Sequence, residues 1–295
     1  QCTECGWIPK CRHCDVSLTY HKAVDRMVCH YCGYTTKVVT TCGNCKKNSM
    51  KMKGFGTEKV EDEIKVFFPE ARVARLDLDT ARSRKHYVEI LGAFESGDTD
   101  ILIGTQMVTK GLDFDHVALV GILNADNMLN FPDFRAFERS YQLMSQVAGR
   151  AGRKNEKGLV LIQTSQPDHA VIRQVINHDY SSMFNAQLTE RKEFLYPPFS
   201  RMIRLTIKHR KPDTCFEAAT RLAIQLKKQL GECVLGPDMP AISMLQGWFI
   251  RNLLIKINRS RQTAEVKNII NSAISQLVSE PGLSGISVQA DVDPY

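Results

Sequence analysis

Several familiar devices are missing from this 295-residue sequence, and each absence narrows its chemistry. No Gly-x-x-x-x-Gly-Lys-[Ser/Thr] phosphate loop occurs, and no Asp-Glu-x-His-like pair is present to hold Mg²⁺ and position water. A self-contained nucleoside-triphosphatase site is therefore excluded. There is no apolar run long enough to span a bilayer and no signal peptide. The chain opens at Gln1 without an initiator methionine, as expected of a piece of a longer protein. What remains is ordinary globular composition, 43% hydrophobic and 24% charged, enough for two cores and a small appendage.

The net charge of +7 is unevenly placed. Residues 1–53 carry 9 basic and 3 acidic side chains, 54–165 carry 14 and 17, and 166–295 carry 16 and 12. Both flanks are basic and the middle is not.

Eight of the ten cysteines form four Cys-x-x-Cys pairs, Cys2/Cys5, Cys11/Cys14, Cys29/Cys32 and Cys42/Cys45. Such a turn aims two thiolates at one point, and two turns complete a closed, structural Zn²⁺ site. Four pairs predict two zinc ions. Disulfides are disfavoured because nothing else in the chain looks exported. Cys5 and Cys11 are separated by five residues and Cys14 and Cys29 by 14, close to the loop of a Cys-x-x-Cys ribbon. The spacing predicts a nested pairing, with Cys11, Cys14, Cys29 and Cys32 on one ion and Cys2, Cys5, Cys42 and Cys45 on the other. Val16, Leu18 and Tyr20 alternate like a strand and Met27-Val28 returns, giving a β-ribbon. His13, His21 and His30 are left out, since eight thiolates fill both sites. Two Zn²⁺ on eight thiolates reduce the module to about +2, which disfavours a purely electrostatic DNA clamp. Lys10, Arg12, Lys46 and Lys47 are its candidates for phosphate contact.

Residues 54–165 read as an α/β unit. Thr57 is expected to cap a helix that Pro69 stops. Apolar runs at 71–78, 101–104, 117–122 and 159–163 suit strands covered on both faces, with helices at 82–96 and 134–150 between them. The run Ile101-Leu-Ile-Gly-Thr-Gln starts as a strand and breaks at Gly104-Thr105, at a carboxyl end of the sheet where open α/β folds bind ligands. The octapeptide Gln146-Val-Ala-Gly-Arg-Ala-Gly-Arg153 places two arginines three residues apart among glycines that permit close approach. Gln146, Arg150 and Arg153 are expected on one helix face at i, i+4 and i+7. Phe131, Phe134 and Phe137 lie in the polar loop between these motifs, as base-stacking or packing aromatics.

The octapeptide resembles the last signature motif of superfamily 2 helicases. Together with the loop from Asn124 to Arg139 and the upstream cysteines, it is similar to the bacterial primosomal replication-restart DNA helicases over essentially the whole chain. That resemblance implies an α/β fold: a RecA-like second helicase lobe, an inserted two-zinc β-ribbon module with four cysteines on each ion, and a small α+β carboxy-terminal domain. The nested zinc pairing is also what it implies. It makes Gln146, Arg150 and Arg153 catalytic, Arg153 as an arginine finger reaching the γ-phosphate of ATP on the other lobe. It sets Gly111 and Asp113 at the nucleotide and Thr105 and Gln106 at the DNA backbone. ATP and Mg²⁺ would bind only with the missing amino-terminal lobe, so this chain alone is expected to lack ATPase activity. The partners implied are forked and single-stranded DNA, single-strand-binding protein and primosome proteins, with no membrane. The protein is expected to be a cytoplasmic, nucleoid-associated monomer that translocates 3′→5′ on abandoned forks.

Expected domains are 1–52, 53–165 and 166–295. The last reads strand, helix, strand, helix, strand, as a mixed sheet with helices on one face, after a proline-fixed corner at Tyr196-Pro-Pro-Phe199. Arg251, Lys256, Arg259 and Arg261 form a candidate DNA or partner patch beside Trp248 and Phe249. Cys215 and Cys233 are expected to be ordinary half-buried thiols. Two other functions fit the residues: a non-enzymatic fork-DNA or protein-docking module, which an ATPase assay separates, and an RNA helicase or annealing translocase, which RNA against forked-DNA competition separates.

Overall fold

A computed structural model describes residues 1–21, 24–51, 56–77, 80–81, 83–105, 114, 116–152, 158–258 and 261–294. Two compact units result: residues 1–53 with 191–295, and residues 54–190. No helix among the described residues is long and apolar enough to cross a membrane.

In the first unit the cysteine-rich segment folds as a three-stranded antiparallel sheet of β1 (Thr19–His21), β2 (Arg26–Val28) and β3 (Thr35–Lys37). The ribbon expected from Val16–Tyr20 and Met27-Val28 is present, one to three residues along. The third strand is additional, since Thr-Thr-Lys offers no apolar alternation to announce it.

The second unit alternates strand and helix. α1 (Thr57–Phe67) precedes β4 (Val73–Leu76), α2 (Arg84–Glu95) precedes β5 (Ile101–Gly104), and β4 and β5 pair in parallel. β6 (Leu119–Ile122), α3 (Asp126–Leu129), α4 (Ala136–Ala148) and β7 (Leu159–Ile162) follow, and β6 and β7 are also parallel. Gly56, not Thr57, is the cap of α1. The Thr57 hydroxyl instead donates to the Asp77 carboxylate at 2.5 Å, tying the helix start to the end of β4. α5 (Ala170–Ile176) and α6 (Tyr180–Glu193) follow. Val171, Ile172, Val175 and Met183 are buried against Tyr141 and Met144 of α4, so the segment after residue 165 packs with this unit up to residue 190.

The first unit resumes at the carboxyl end with β8 (Ser200–His209), α7 (Pro212–Leu230), β9 (Val234–Asp238), β10 (Met244–Leu245), β11 (Trp248–Asn258), α8 (Thr263–Ser279) and β12 (Ser287–Val292). Ile203, Leu205 and Ile207 alternate along β8 and meet Cys215, Ala218, Ala219, Leu222 and Leu226 of α7 and Val266, Ile270, Ala273 and Leu277 of α8. Those helical positions recur every three or four residues, which forms one apolar stripe per helix. Every pairing in this sheet is antiparallel, not mixed as expected. The reason is placement: β11–α8–β12 is a strand-helix-strand crossover, but β8 inserts between its two strands and opposes both.

Candidate functional site

Each Cys-x-x-Cys pair sits in the same backbone turn. The amides of Cys2, Cys11, Cys29 and Cys42 donate to the carbonyls of Trp7, Val16, Tyr34 and Lys47 at 2.8–2.9 Å, folding each knuckle around its two sulfurs. Gly6 and Gly33 complete two of the turns with φ of 75° and 73°, donating back to Cys2 and Cys29.

The knuckles combine as the spacing predicts. Sγ atoms of Cys2, Cys5, Cys42 and Cys45 lie within 4.8 Å of one another, and so do those of Cys11, Cys14, Cys29 and Cys32. The nested pairing leaves three cross-knuckle sulfur contacts of 3.5–3.6 Å: Cys2 to Cys45, Cys5 to Cys42 and Cys11 to Cys32. A tetrahedral ion with bonds of about 2.3 Å holds its sulfurs about 3.8 Å apart, so both sets fit zinc. Burial raises the Cys11 and Cys14 thiols, whereas the Ser49 hydroxyl, 3.1 Å from Cys2, pulls that thiol down to about 6. Burial disfavours a bare thiolate there, and a cation that displaces the proton supplies the charge that compensates it.

His21 and His30 do not join either cluster. Their Nε2 atoms face each other at 3.2 Å on the surface, and the His13 ring packs edge-on against Tyr34. The four cationic candidates of this module all engage the protein itself. Lys10 pairs with Asp15 at 2.9 Å and Lys47 with Glu4 at 2.8 Å, Lys46 donates to the Gly43 carbonyl, and Arg12 lies over Tyr34. Exposed pairs of this kind contribute only about 0–1 kcal/mol, so a phosphate can displace them.

In the second unit, Thr105 is exposed just beyond the carboxyl end of β5, in keeping with the strand break at Gly104. Gln146 is exposed on the last turn of α4. Arg150 is half-buried, but not on the helix: α4 stops at Ala148, Gly149 caps it, and Gly152 adopts φ 75°. The single-face arrangement of Gln146, Arg150 and Arg153 is therefore corrected for its first two members, because the glycines that permit close approach also end the helix. The Gly152 amide donates to the Val117 carbonyl at 3.0 Å, and a Cβ on Gly158 would overlap the Ala151–Gly152 backbone. Gln106, Gly111, Asp113 and Arg153 lie outside the described residues, as does Arg259.

The polar loop is closed by Asp126, which accepts from the Thr164 hydroxyl at 2.6 Å and the Ser165 amide at 2.8 Å. Those bonds, Thr164 first, hold its carboxyl below the usual range. Phe137 packs on the core and against His169, Phe134 lies under the Arg135 guanidinium at 4.2 Å, and Phe131 is 58% exposed. One ring of the three is presented to solvent.

The carboxy-terminal patch is largely absorbed by the fold. Lys256 lies 3.9 Å over the Tyr196 ring and donates to the Phe194 carbonyl, with burial lowering its pKa. Arg261 donates to the Leu230 and Gln229 carbonyls, closing the end of α7, and Arg251 lies over Phe216. Phe249 packs against the core and Trp248 lies under Arg210. Cys215 is fully buried against the carbonyls of Ile207 and Phe249.

The family models that match the chain follow the same order. Residues 11–37 match the PriA DNA helicase Cys-rich region domain, 34–155 the helicase conserved C-terminal domain, and 192–295 the primosomal protein N C-terminal domain. Among curated proteins, replication restart protein PriA of Bacillus subtilis (strain 168) is 36% identical over 296 residues, covering 100% of this chain and 36% of the relative. The PriA of Treponema pallidum (strain Nichols) is 37% identical over 298 residues, covering 100% of this chain and 44% of the relative. That of Synechocystis is 37% identical over 262 residues, covering 86% and 31%. The chain thus spans less than half the length of these relatives.

Proposed function

Because the chain belongs to the PriA family of replication restart proteins, we propose that it is the part of an ATP-dependent 3′→5′ DNA helicase that supplies the second wall of the motor. The observation that carries this reading is the joining, in one chain, of two nested tetrathiolate clusters to a parallel-strand lobe with a glycine-bounded arginine loop. Neither feature alone separates this family from other zinc proteins or other helicases.

The eight cysteines hold two structural Zn²⁺, which lock short segments that bury too little to fold unaided. In the motor, Gln146 and Arg150 with Arg153 face ATP held by the partner lobe, Gly111 and Asp113 border the nucleotide, and Thr105 and Gln106 contact the DNA backbone. A guanidinium suits this role because its charge is permanent and its fork matches phosphate oxygens. The whole protein recognises abandoned forks and starts primosome assembly, with single-strand-binding protein and primosome proteins as partners. It acts as a monomer in the cytoplasm at the nucleoid.

With no phosphate loop in its sequence, the chain alone hydrolyses no ATP. The test is binding of this chain to labelled forked DNA across a salt series, with metal content and ATP turnover measured in parallel. Two zinc ions, salt-dependent fork binding and no turnover support the reading; DNA-stimulated turnover by the chain alone sinks the division of labour. A second reading, a docking module without its own DNA contact, draws on the internal pairing of Lys10, Lys46 and Lys47 and gains if two zinc ions are present but forks do not bind.

A further inference from the structure

The inner cysteine cluster is not a closed module. The amide of Gln246, 232 residues along the chain, donates to Cys14 Sγ at 3.3 Å. It does so from the turn of the β10–β11 hairpin, where Gln246 and Gly247 both take positive φ, 51° and 75°. Around that bond the hairpin makes four more. The Gly247 amide donates to the His13 carbonyl at 2.7 Å, and the Asp15 amide donates to the Met244 carbonyl at 2.8 Å. The Ser243 hydroxyl donates to the Asp15 carboxylate at 2.8 Å, and the Gln246 side chain donates to the Tyr31 carbonyl at 3.1 Å. Leu245 packs on the cluster formed by Cys11, Cys14, Leu18 and Cys29.

The outer cluster differs. Cys2 takes the Ser49 hydroxyl and Cys42 the Cys45 amide, both from within residues 1–53. Each described bond to an outer sulfur is local, whereas the inner site borrows a donor and an apolar cover from the sheet of β8 and β11.

We infer that the Ser243–Trp248 hairpin is the outer shell of the inner metal site, so that metal at Cys11, Cys14, Cys29 and Cys32 and the docking of the hairpin form one cooperative unit. The coupling runs in both directions. An N–H donor to a bound thiolate disperses its charge and fixes its orientation, and an apolar cover keeps water and competing ligands from the metal–sulfur bonds. Conversely, without the ion the four thiols lose their common anchor, and the knuckle at Cys11–Cys14, which offers His13 and Asp15 to the hairpin, is no longer held in shape. Metal occupancy near the amino end is thereby transmitted to the edge of a sheet near the carboxyl end. Among the described residues, no such bond joins the outer cluster to the hairpin. Gln246, Ser243 and Leu245 are positioning residues for the metal.

The inference rests on the assignment of zinc to these cysteines, and the test separates the two. On the whole 295-residue chain, zinc is counted by mass spectrometry, its release to a chelator is followed in time, and amide exchange is measured over residues 241–250. Leu245→Ala should speed one of two release phases about tenfold or more and leave the other unchanged. Ser243→Ala, which alters only the Asp15 contact, should do the same more weakly and guards against misfolding of the first variant. Cys29→Ser with Cys32→Ser should raise exchange across the hairpin, whereas Cys42→Ser with Cys45→Ser should not. Two zinc ions with hairpin exchange indifferent to the inner cysteines, or release unchanged in both hairpin variants, would overturn the coupling and leave the zinc assignment standing. Absence of zinc from the purified chain would overturn both.

Discussion

Gly43 lies against the indole of Trp7: a Cβ at position 43 would sit 2.6 Å from Cζ2 of that ring and 2.8 Å from Cη2. The glycine is therefore required by space, since its backbone is not among the positive-φ positions. Trp7 follows the first cysteine knuckle and Gly43 lies inside the last, so the contact joins the two halves of the outer cluster. Gly43→Ala forces the ring aside, an overpacking that typically costs about 1–3 kcal/mol. The expected outcome is faster loss of one zinc equivalent to chelator with the second unaffected. Equal release from the variant and the parent would remove the contact from the list of features holding this site.

The core of the carboxy-terminal sheet offers a sharper contrast within one helix. Leu222 of α7 is fully buried among β8, β11 and α8, whereas Ile224, two residues on, is 53% exposed. Leu222→Ala removes packing that its neighbours cannot fill and should lower stability by about 2–5 kcal/mol. Ile224→Ala should change it by no more than about 0.5 kcal/mol. Denaturant unfolding of the two variants checks the pair, and comparable losses would mean that the apolar stripe is misassigned.

Much of this organisation is legible in the residues. Cysteine spacing predicts the nested clusters, because the 14-residue link between Cys14 and Cys29 suits a Cys-x-x-Cys ribbon and the five-residue link between Cys5 and Cys11 does not. Apolar runs place β4 to β7 to within two residues, since period and length are local properties, whereas no apolar run announces β3, β9 or β10. What stays hidden is long-range or steric. Nothing near Gln246 says that its amide meets Cys14, and nothing near β8 says that it inserts between β11 and β12. The end of α4 at Ala148 is visible in principle, yet Gly149 and Gly152 suit phosphate approach as well as helix termination, and helical spacing carried through them to Arg153 overlooks the second role. The nucleotide and DNA positions at Gln106, Gly111, Asp113 and Arg153 rest on motif and family, not on geometry.

Arg72 and Asp100 give the lobe of residues 54–190 a pH-dependent tie. The guanidinium meets both carboxylate oxygens at 2.7 and 2.9 Å, and the Arg72 amide adds a third bond at 2.8 Å, so the residues preceding β4 and β5 are fastened together. The Arg72 side chain holds the Asp100 carboxyl down at about 2. A carboxyl depressed in the folded state binds its proton less readily there than in the unfolded chain. Its stabilisation is present above the ordinary value near 4, fades as pH falls, and is gone once pH drops below about 2. Asp100→Asn should therefore raise amide exchange at β5 at neutral pH. The difference from the parent should shrink as exchange is repeated toward about pH 3. A difference independent of pH would show that the side-chain shape, not its charge, is what matters.

In the arginine loop, a residue with no charge bears on the position of Arg150. Gly158 stands immediately before β7, and any Cβ there would overlap the backbone of Ala151 and Gly152. Those two residues sit between Arg150 and Arg153, and Gly152 is itself pinned to Val117 by its amide. Gly158→Ala must therefore push the loop away from the β6–β7 edge, carrying Arg150 with it. On the role proposed for Arg150 at a transferring phosphoryl, a displacement of about 1 Å can lower turnover by up to about 100-fold. In the full-length protein, Gly158→Ala is expected to reduce DNA-stimulated ATP hydrolysis about tenfold or more while leaving fork binding unchanged. Arg153→Ala should reduce turnover by about 1,000-fold or more if that guanidinium acts as the finger. Gly121→Ala, in β6 with open space around its would-be Cβ, is the control and should be close to silent. Hydrolysis in Gly158→Ala indistinguishable from the parent would mean that loop position does not govern the chemistry, and full turnover in Arg153→Ala would remove the finger from the mechanism.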